Sequence, residues 1–150
     1  MPKSISEEQA RELGIEVVHQ LMDNGERRFR LVSSDGSSYI RTEASSEGSW
    51  QNSHFHKELT EFYLVQSGWL VYAELSSDDE LIIRYMKQGD SILVLPLIHH
   101  NLYMSPYTVT HVIKYGNNGE QPDWFSSPEL DKQTKNIPES DLIRMIGTTF

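Results

Sequence analysis

Two short stretches of this chain concentrate residue types that bind metal ions. The first, GSWQNSHFHKELTEFYLVQSG from Gly48 to Gly68, holds His54 and His56 two positions apart and then Glu61. On an extended strand, residues two apart share a face, so both imidazoles would point the same way, about 7 Å apart along the chain. The second stretch, GDSILVLPLIHHNLYM from Gly89 to Met104, carries His99 and His100 just beyond an apolar run. Three imidazoles and one carboxylate converging from neighbouring strands would form a metal site of nitrogen and oxygen donors. Adjacent strand residues face opposite ways, so only one of His99 and His100 can join it unless a bulge intervenes.

The elements that must position these residues are short and mostly extended. Ser4 to Leu13 reads as a helix, with Ser6 and Gln9 at capping-box spacing and Gly14 as its stop. Apolar-rich runs at Ile15–Leu21 and Arg28–Val32 flank Asp23-Asn24-Gly25, a hairpin signal, and Asp35-Gly36 marks a second turn before Tyr39–Glu43. A Ser/Glu/Gly loop over 44–49 leads into the first stretch. Further strands are expected at Glu61–Gln66, Trp69–Leu75, Leu81–Met86, Ser91–Leu95, His99–Met104 and Val109–Tyr115. Many short strands with regularly spaced turn signals predict an all-β barrel or sandwich. There is no internal repeat, hence one barrel.

After Gly116 the pattern changes. Asn117 to Ser127 is loop-like, with Trp124 and Phe125 able to dock it. Pro138 can open a last helix that Gly147 stops. Leu142, Ile143, Met145 and Ile146 would give that helix an apolar stripe for the barrel or a partner subunit.

Composition narrows the class of function. A length of 150 residues suits one domain, and 37% hydrophobic with 23% charged residues is ordinary for a soluble globular protein. No apolar run approaches a membrane span, and the N-terminus lacks a signal-peptide pattern. Cysteine is absent, which excludes disulfides and thiolate chemistry and favours a cytoplasmic location. A net charge of −9 argues against nucleic acid or anionic membrane as partner and suits a protein that handles small molecules.

The first stretch also has a familiar spacing. Gly48, five residues, His54-x-His56, four residues, Glu61, six residues and Gly68 resembles the first motif of the cupin superfamily. Gly89 followed eleven residues later by His100 resembles its second motif. That second motif departs from the family pattern at three places. Leu95 stands where Pro is usual (Pro96 comes one place late), Leu97 replaces the usual Gly, and Met104 replaces the usual Asn. The resemblance implies an antiparallel cupin-type β-barrel, a double-stranded β-helix or jelly roll, with short N- and C-terminal helices. It implies a single domain over 1–150, with a barrel core of about 15–116 and an extension over 117–150. It further implies a homodimer with one divalent transition metal per chain, held by His54, His56, Glu61 and His100. Iron comes first, with manganese, nickel, cobalt and zinc as the other choices.

Alternation supplies the remaining site residues. Trp50 and Asn52 share a face with His54 and His56, and Leu102 and Met104 share one with His100, so these four are expected to line a substrate pocket. Tyr63 shares a face with Glu61 and is the candidate catalytic group, able to donate a proton or hold an oxygen anion. The facing of Tyr39, Arg41, Tyr85, His111 and Lys114 depends on the register. The acidic run Ser76–Glu80 lacks the periodicity of a calcium loop and reads as a solvated turn. These features favour a metal-dependent enzyme acting on a small molecule, of oxygenase or dioxygenase type. The alternatives are a non-redox isomerase, epimerase or lyase at the same metal, and a non-catalytic barrel for ligand binding or sensing. The last would usually come with a DNA-binding unit, of which no helix-turn-helix or basic segment gives a sign.

Overall fold

The computed structural model describes residues 1–116 and 122–147. The chain opens with helix α1 (Glu7–Glu12), where the Ser6 hydroxyl accepts from the Gln9 N–H and the Gln9 side chain accepts from the Ser6 N–H. Strands β1 (Ile15–Leu21), β2 (Arg27–Ser33) and β3 (Ser38–Glu43) follow as a meander through the two expected turns. Next come β4 (Ser49–Trp50), β5 (His54–Phe55), β6 (Thr60–Ser67), β7 (Trp69–Leu75) and β8 (Leu81–Lys87). Then β9 (Ser91–Val94), β10 (His100–Met104), β11 (Val109–Tyr115) and β12 (Phe125–Ser126) precede helices α2 (Pro128–Thr134) and α3 (Glu139–Gly147).

All strand pairs are antiparallel. They make one sheet in the order β1-β2-β3-β11-β6-β9 and a second in the order β12-β5-β10-β7-β8, with β4 also paired to β10. Among the described residues the strands form two facing sheets rather than one closed ring. Ile40, Tyr63, Val65, Val94 and Val112 of the first sheet meet Leu70, Tyr72, Met86, Leu102 and Met104 of the second in one buried cluster. A second cluster, Val71, Tyr103 and Leu142 with Trp50, Ile137 and Ile146, lies on the outer side of the second sheet. This explains why every residue of β10 is buried: the core covers one face, and the C-terminal helices cover the other. Of the apolar stripe expected on α3, Leu142 and Ile146 are used within the chain, while Ile143 and Met145 are exposed.

Helix α2 begins directly after the stretch expected as a loop, where the sequence predicts no element. Ser127 is its N-cap and Pro128 occupies the first turn, where its missing N–H costs nothing. Leu130 and Thr134 then bury one side of the helix. The Asn117-Asn118-Gly119 turn lies outside the described residues. No helix among the described residues is long and apolar enough to cross a membrane.

Two motif glycines have the left-handed backbone that favours glycine, in different surroundings. Gly68 (φ +81°) joins β6 to β7, and a Cβ there would sit 2.3 Å from Thr108 Oγ1 and 2.9 Å from Thr108 Cα. Thr108 is fully buried and bonds the Trp69 backbone, so it has no room to move. Gly89 (φ +88°) has open space around it. Gly89→Ala should therefore lose only the left-handed penalty of about 1 kcal/mol. Gly68→Ala adds an overlap with buried backbone and should lose at least about 3 kcal/mol. Urea midpoints of the two variants against the parent chain check the ranking.

Candidate metal centre

His54 opens β5 and pairs across the ladder with His100, the first residue of β10. His56 follows two residues on, and after a short loop Glu61 enters β6 in the opposite sheet. The four side chains meet on one carboxylate oxygen. Glu61 Oε1 lies 2.5 Å from His56 Nε2, 3.0 Å from His100 Nε2 and 3.5 Å from His54 Nε2. All four donor atoms fall within 4.8 Å of one another, and all four residues are buried.

The hydrogens can be placed from the partners. His54 Nδ1 faces Asn52 O at 2.9 Å, His100 Nδ1 faces Ile98 O at 2.9 Å, and His56 Nδ1 faces Asp123 O. A carbonyl only accepts, so each Nδ1 carries a hydrogen, and in a neutral ring Nε2 then holds a lone pair. Burial pulls His54 down to about 4, outweighing its contact with Glu61, so this ring is neutral at pH 7. Burial alone would raise Glu61, but Lys114 and the three imidazoles outweigh it and hold the carboxyl well below its usual range. Three imidazole nitrogens thus converge on an ionised carboxylate, and His56 Nε2 is buried without a hydrogen-bond partner. A cation among these four donor atoms would be bound by all of them at once. The residues fit a divalent ion of borderline character, as the nitrogen and oxygen donor set requires.

The likeness to known proteins follows the geometry. No family model matches the chain, and no curated relative matches it. Solved structures do. Oxalate decarboxylase from Bacillus subtilis superposes with a TM-score of 0.61 at 12% identity, over 87% of this chain and 34% of its own. An oxalate oxidase gives 0.58 at 20% identity, over 83% of this chain and 67% of its own. The capsular polysaccharide assembling protein CapF from Staphylococcus aureus gives 0.58 at 19% identity, over 73% and 32%. The fold is the cupin fold. This chain spans about a third of the decarboxylase and CapF chains. At such identities the likeness is one of fold, so the chemistry rests on the atoms of the site.

Around His54, His56, Glu61 and His100, the structure adds residues that spacing did not reveal. Asp123 holds the ligand loop twice over. Its carbonyl takes His56 Nδ1, and its carboxylate accepts from the N–H groups of Lys57, Glu58 and Leu59 at 2.7, 2.9 and 2.9 Å. Trp124 stacks on His54 with centroids 5.5 Å apart and an angle of 21°. The other carboxylate oxygen, Glu61 Oε2, accepts from Tyr63 Oη at 2.6 Å and lies 3.9 Å from Lys114 Nζ. These two contacts leave Oε1 to the imidazoles. Burial and the Glu61 charge push Tyr63 well above its usual value, so it stays a phenol. His99 points elsewhere, bonding Ser127 Oγ at 2.7 Å and stacking on Phe55 at 4.1 Å.

A cavity of about 290 Å³ opens beside the centre, with His54, Glu61, Tyr63 and Asn52 on its wall. Three expected pocket residues are placed otherwise. Trp50 pairs with Tyr103 and donates to Ile137 O at 3.1 Å, on the outer side of the sheet. The cause is a one-residue slip between Trp50↔Tyr103 and His54↔His100, which turns Trp50 to the opposite face. Leu102 and Met104 do point inward, but at 1% and 0% exposure they are core and present no surface to the cavity. Their places are taken by Gln51, Arg28, Arg30 and Lys114. Glu26, fully buried, receives Arg28 Nη2 at 2.8 Å and Gln51 Nε2 at 3.1 Å, fixing both. Tyr39, Arg41 and His111 form a bonded group on the outer face of the first sheet.

Elemental analysis should find that His56→Ala and His100→Ala each lose most of the bound metal, while His99→Ala retains it. Asp123→Asn should weaken metal binding about 10- to 100-fold and destabilise the chain by about 2 kcal/mol. Asp123 also sets a pH dependence. Burial would raise its carboxyl, but the three N–H donors win and lower it below its ordinary 3.8. Its contribution is therefore complete above about 3.8 and lost as pH falls through the lower folded value. Urea titrations should show the gap between parent and Asp123→Asn closing on acidification over that range.

Proposed function

We propose that this chain is a metal-dependent enzyme acting on a small molecule, with a reaction of the oxygenase type at the centre formed by His54, His56, Glu61 and His100. The observation that carries this reading is the convergence of three imidazole nitrogens on Glu61 Oε1, each ring fixed by a backbone carbonyl at Nδ1. A divalent iron ion held by these four residues would supply Lewis acidity and one-electron redox chemistry. The chain does the rest. Tyr63 and Lys114 hold Glu61 Oε2, so that Oε1 keeps its aim. Trp124, Ile40 and Val112 wall the cavity with apolar surface and limit water at the reacting end. The neighbours include an oxalate oxidase and an oxalate decarboxylase with Mn(II) centres, which supports a divalent ion in this fold.

A second reading is a non-redox isomerisation, epimerisation or lyase step at the same centre. Tyr63 favours it: a phenol kept protonated within 2.6 Å of one ligand oxygen and 3.4 Å of His100 Nε2 is a proton donor placed beside the donor set.

The test starts with elemental analysis of protein prepared without chelator or a metal-binding tag. Near one iron per chain, with oxygen uptake on adding catechol-like or diketone substrates, supports the oxygenase. Metal-dependent turnover of such substrates without oxygen uptake moves the assignment to the second reading. A chain that takes up no metal on reconstitution removes both and leaves a ligand-binding barrel.

A further inference from the structure

We propose that the substrate carries an oxyanionic group, a carboxylate or a phosphate, which docks on Arg30 and Lys114 beside the centre. This deepens the metal-dependent reading and rests on it.

The first observation is an inverted strand. On β2, Arg28 and Arg30 alternate with Phe29 and Leu31, and a strand with one buried face ordinarily turns its apolar residues inward. Here the two arginines face the cavity, while Phe29 and Leu31 are 36% and 46% exposed. Arg30 stands opposite Ile40, Ile40 opposite Val112, and Val112 opposite Tyr63. Arg30 therefore lies on the same cross-strand row as the phenol bonded to Glu61.

The second observation is charge. Arg28 is answered by the buried Glu26 at 2.8 Å. Arg30 bonds the neutral side chain of Gln20 and, among the described residues, makes no ion pair. The carboxylate near Lys114 is Glu61 at 3.9 Å, itself one of the four donors. Glu61 is the only acid among the described residues lining the cavity. A divalent ion outweighs its charge by one, and Lys114 and Arg30 each add another. This local excess arises in a chain of net charge −9, so general composition does not account for it. Cations drawn together in a partly closed space repel and lose hydration, which an arriving oxyanion offsets.

Size and shape narrow the ligand. A space of about 290 Å³ equals roughly ten water volumes, enough for a compact acid and too small for a nucleotide or peptide. A guanidinium fork takes two oxygens of one carboxylate or phosphate. Arg30, Lys114 and Trp124 also border a neighbouring cleft of about 590 Å³, so an anion approaching from that side meets the same two cations.

The test is calorimetric titration of the full chain, metal-reconstituted and metal-free, with malonate, inorganic phosphate and the neutral malonamide. Malonate or phosphate should bind and malonamide should not; which of the two anions binds identifies the group. Arg30→Gln should weaken anion binding at least tenfold with metal content unchanged, and Arg30→Lys should restore part of it. Lys114→Met gives an independent variant, with circular dichroism and the urea midpoint confirming that each folds. Three results would overturn the proposal: anion binding indifferent to both Arg30→Gln and Lys114→Met, malonamide binding as tightly as malonate, or no probe binding the metal-loaded chain. Metal uptake is scored separately. If the chain binds no metal, the metal-dependent reading fails by itself, and the Arg30 dependence of anion binding in the metal-free chain still decides this inference.

Discussion

A single oxygen, Glu61 Oε1, faces three imidazole nitrogens, each on a ring whose other nitrogen donates to a backbone carbonyl. That is the constraint on which the rest of the structure depends. Crowding a buried carboxylate and three imidazole nitrogens into one small space costs on the order of several kcal/mol in desolvation. Each ring is nevertheless held in that crowd by one backbone carbonyl. Those carbonyls belong to Asn52, Ile98 and Asp123, which lie in three separate connecting segments. Holding them in place is therefore a task for the whole fold, and the arrangement makes sense as a socket preorganised for a cation.

The two-sheet architecture performs that task by division of labour. His54 and His100 come from paired strands of the second sheet, and Glu61 comes from the first, so the donors bridge the sheets at one end of their interface. Towards the other end the same interface is filled by Val65, Leu70, Met86 and Met104. Tyr63 and Tyr72 mark the change from apolar to polar, one bonding Glu61 and the other stacking 6.2 Å from His100. The apolar end supplies the burial that keeps the sheets at a fixed spacing. The polar end uses that spacing to set distances between charged groups, which long side chains on a loose scaffold would not hold.

What the sequence discloses of this follows from where the information is local. Period-two alternation, the capping box at Ser6 and Gln9, and the turn glycines each act over a few residues, and each is legible. The ligand spacing is legible too, because His54, His56 and Glu61 lie within one hairpin-sized stretch. Trp50 is misplaced because a single-residue slip over 51–53 reverses its face, and nothing in Gln51-Asn52-Ser53 announces the slip. Arg28 and Arg30 are missed because alternation gives two faces without saying which is inside, and here the usual hydrophobic assignment fails. Asp123 lies 67 residues from His56, so its carbonyl contact has no local signature. Those failures cluster at the cavity, where chemistry competes with packing for the same positions.

The departures in the second motif show which of its features are structural. Leu97 replaces a usual glycine, yet it keeps the glycine-like backbone at φ +72°, a conformation that costs about 1 kcal/mol or more for a residue with a Cβ. The side chain gains little in return, being 63% exposed. What holds the turn is the backbone: the Leu97 N–H donates to His56 O at 2.7 Å, joining the loop before His100 to the loop after His54. A relaxed turn would release that bond and move Ile98, whose carbonyl fixes the His100 ring. The strain at Leu97 is thus tied to the aim of a donor three residues away. The left-handed backbone is held at Leu97 despite its Cβ, and the donor geometry is what depends on it.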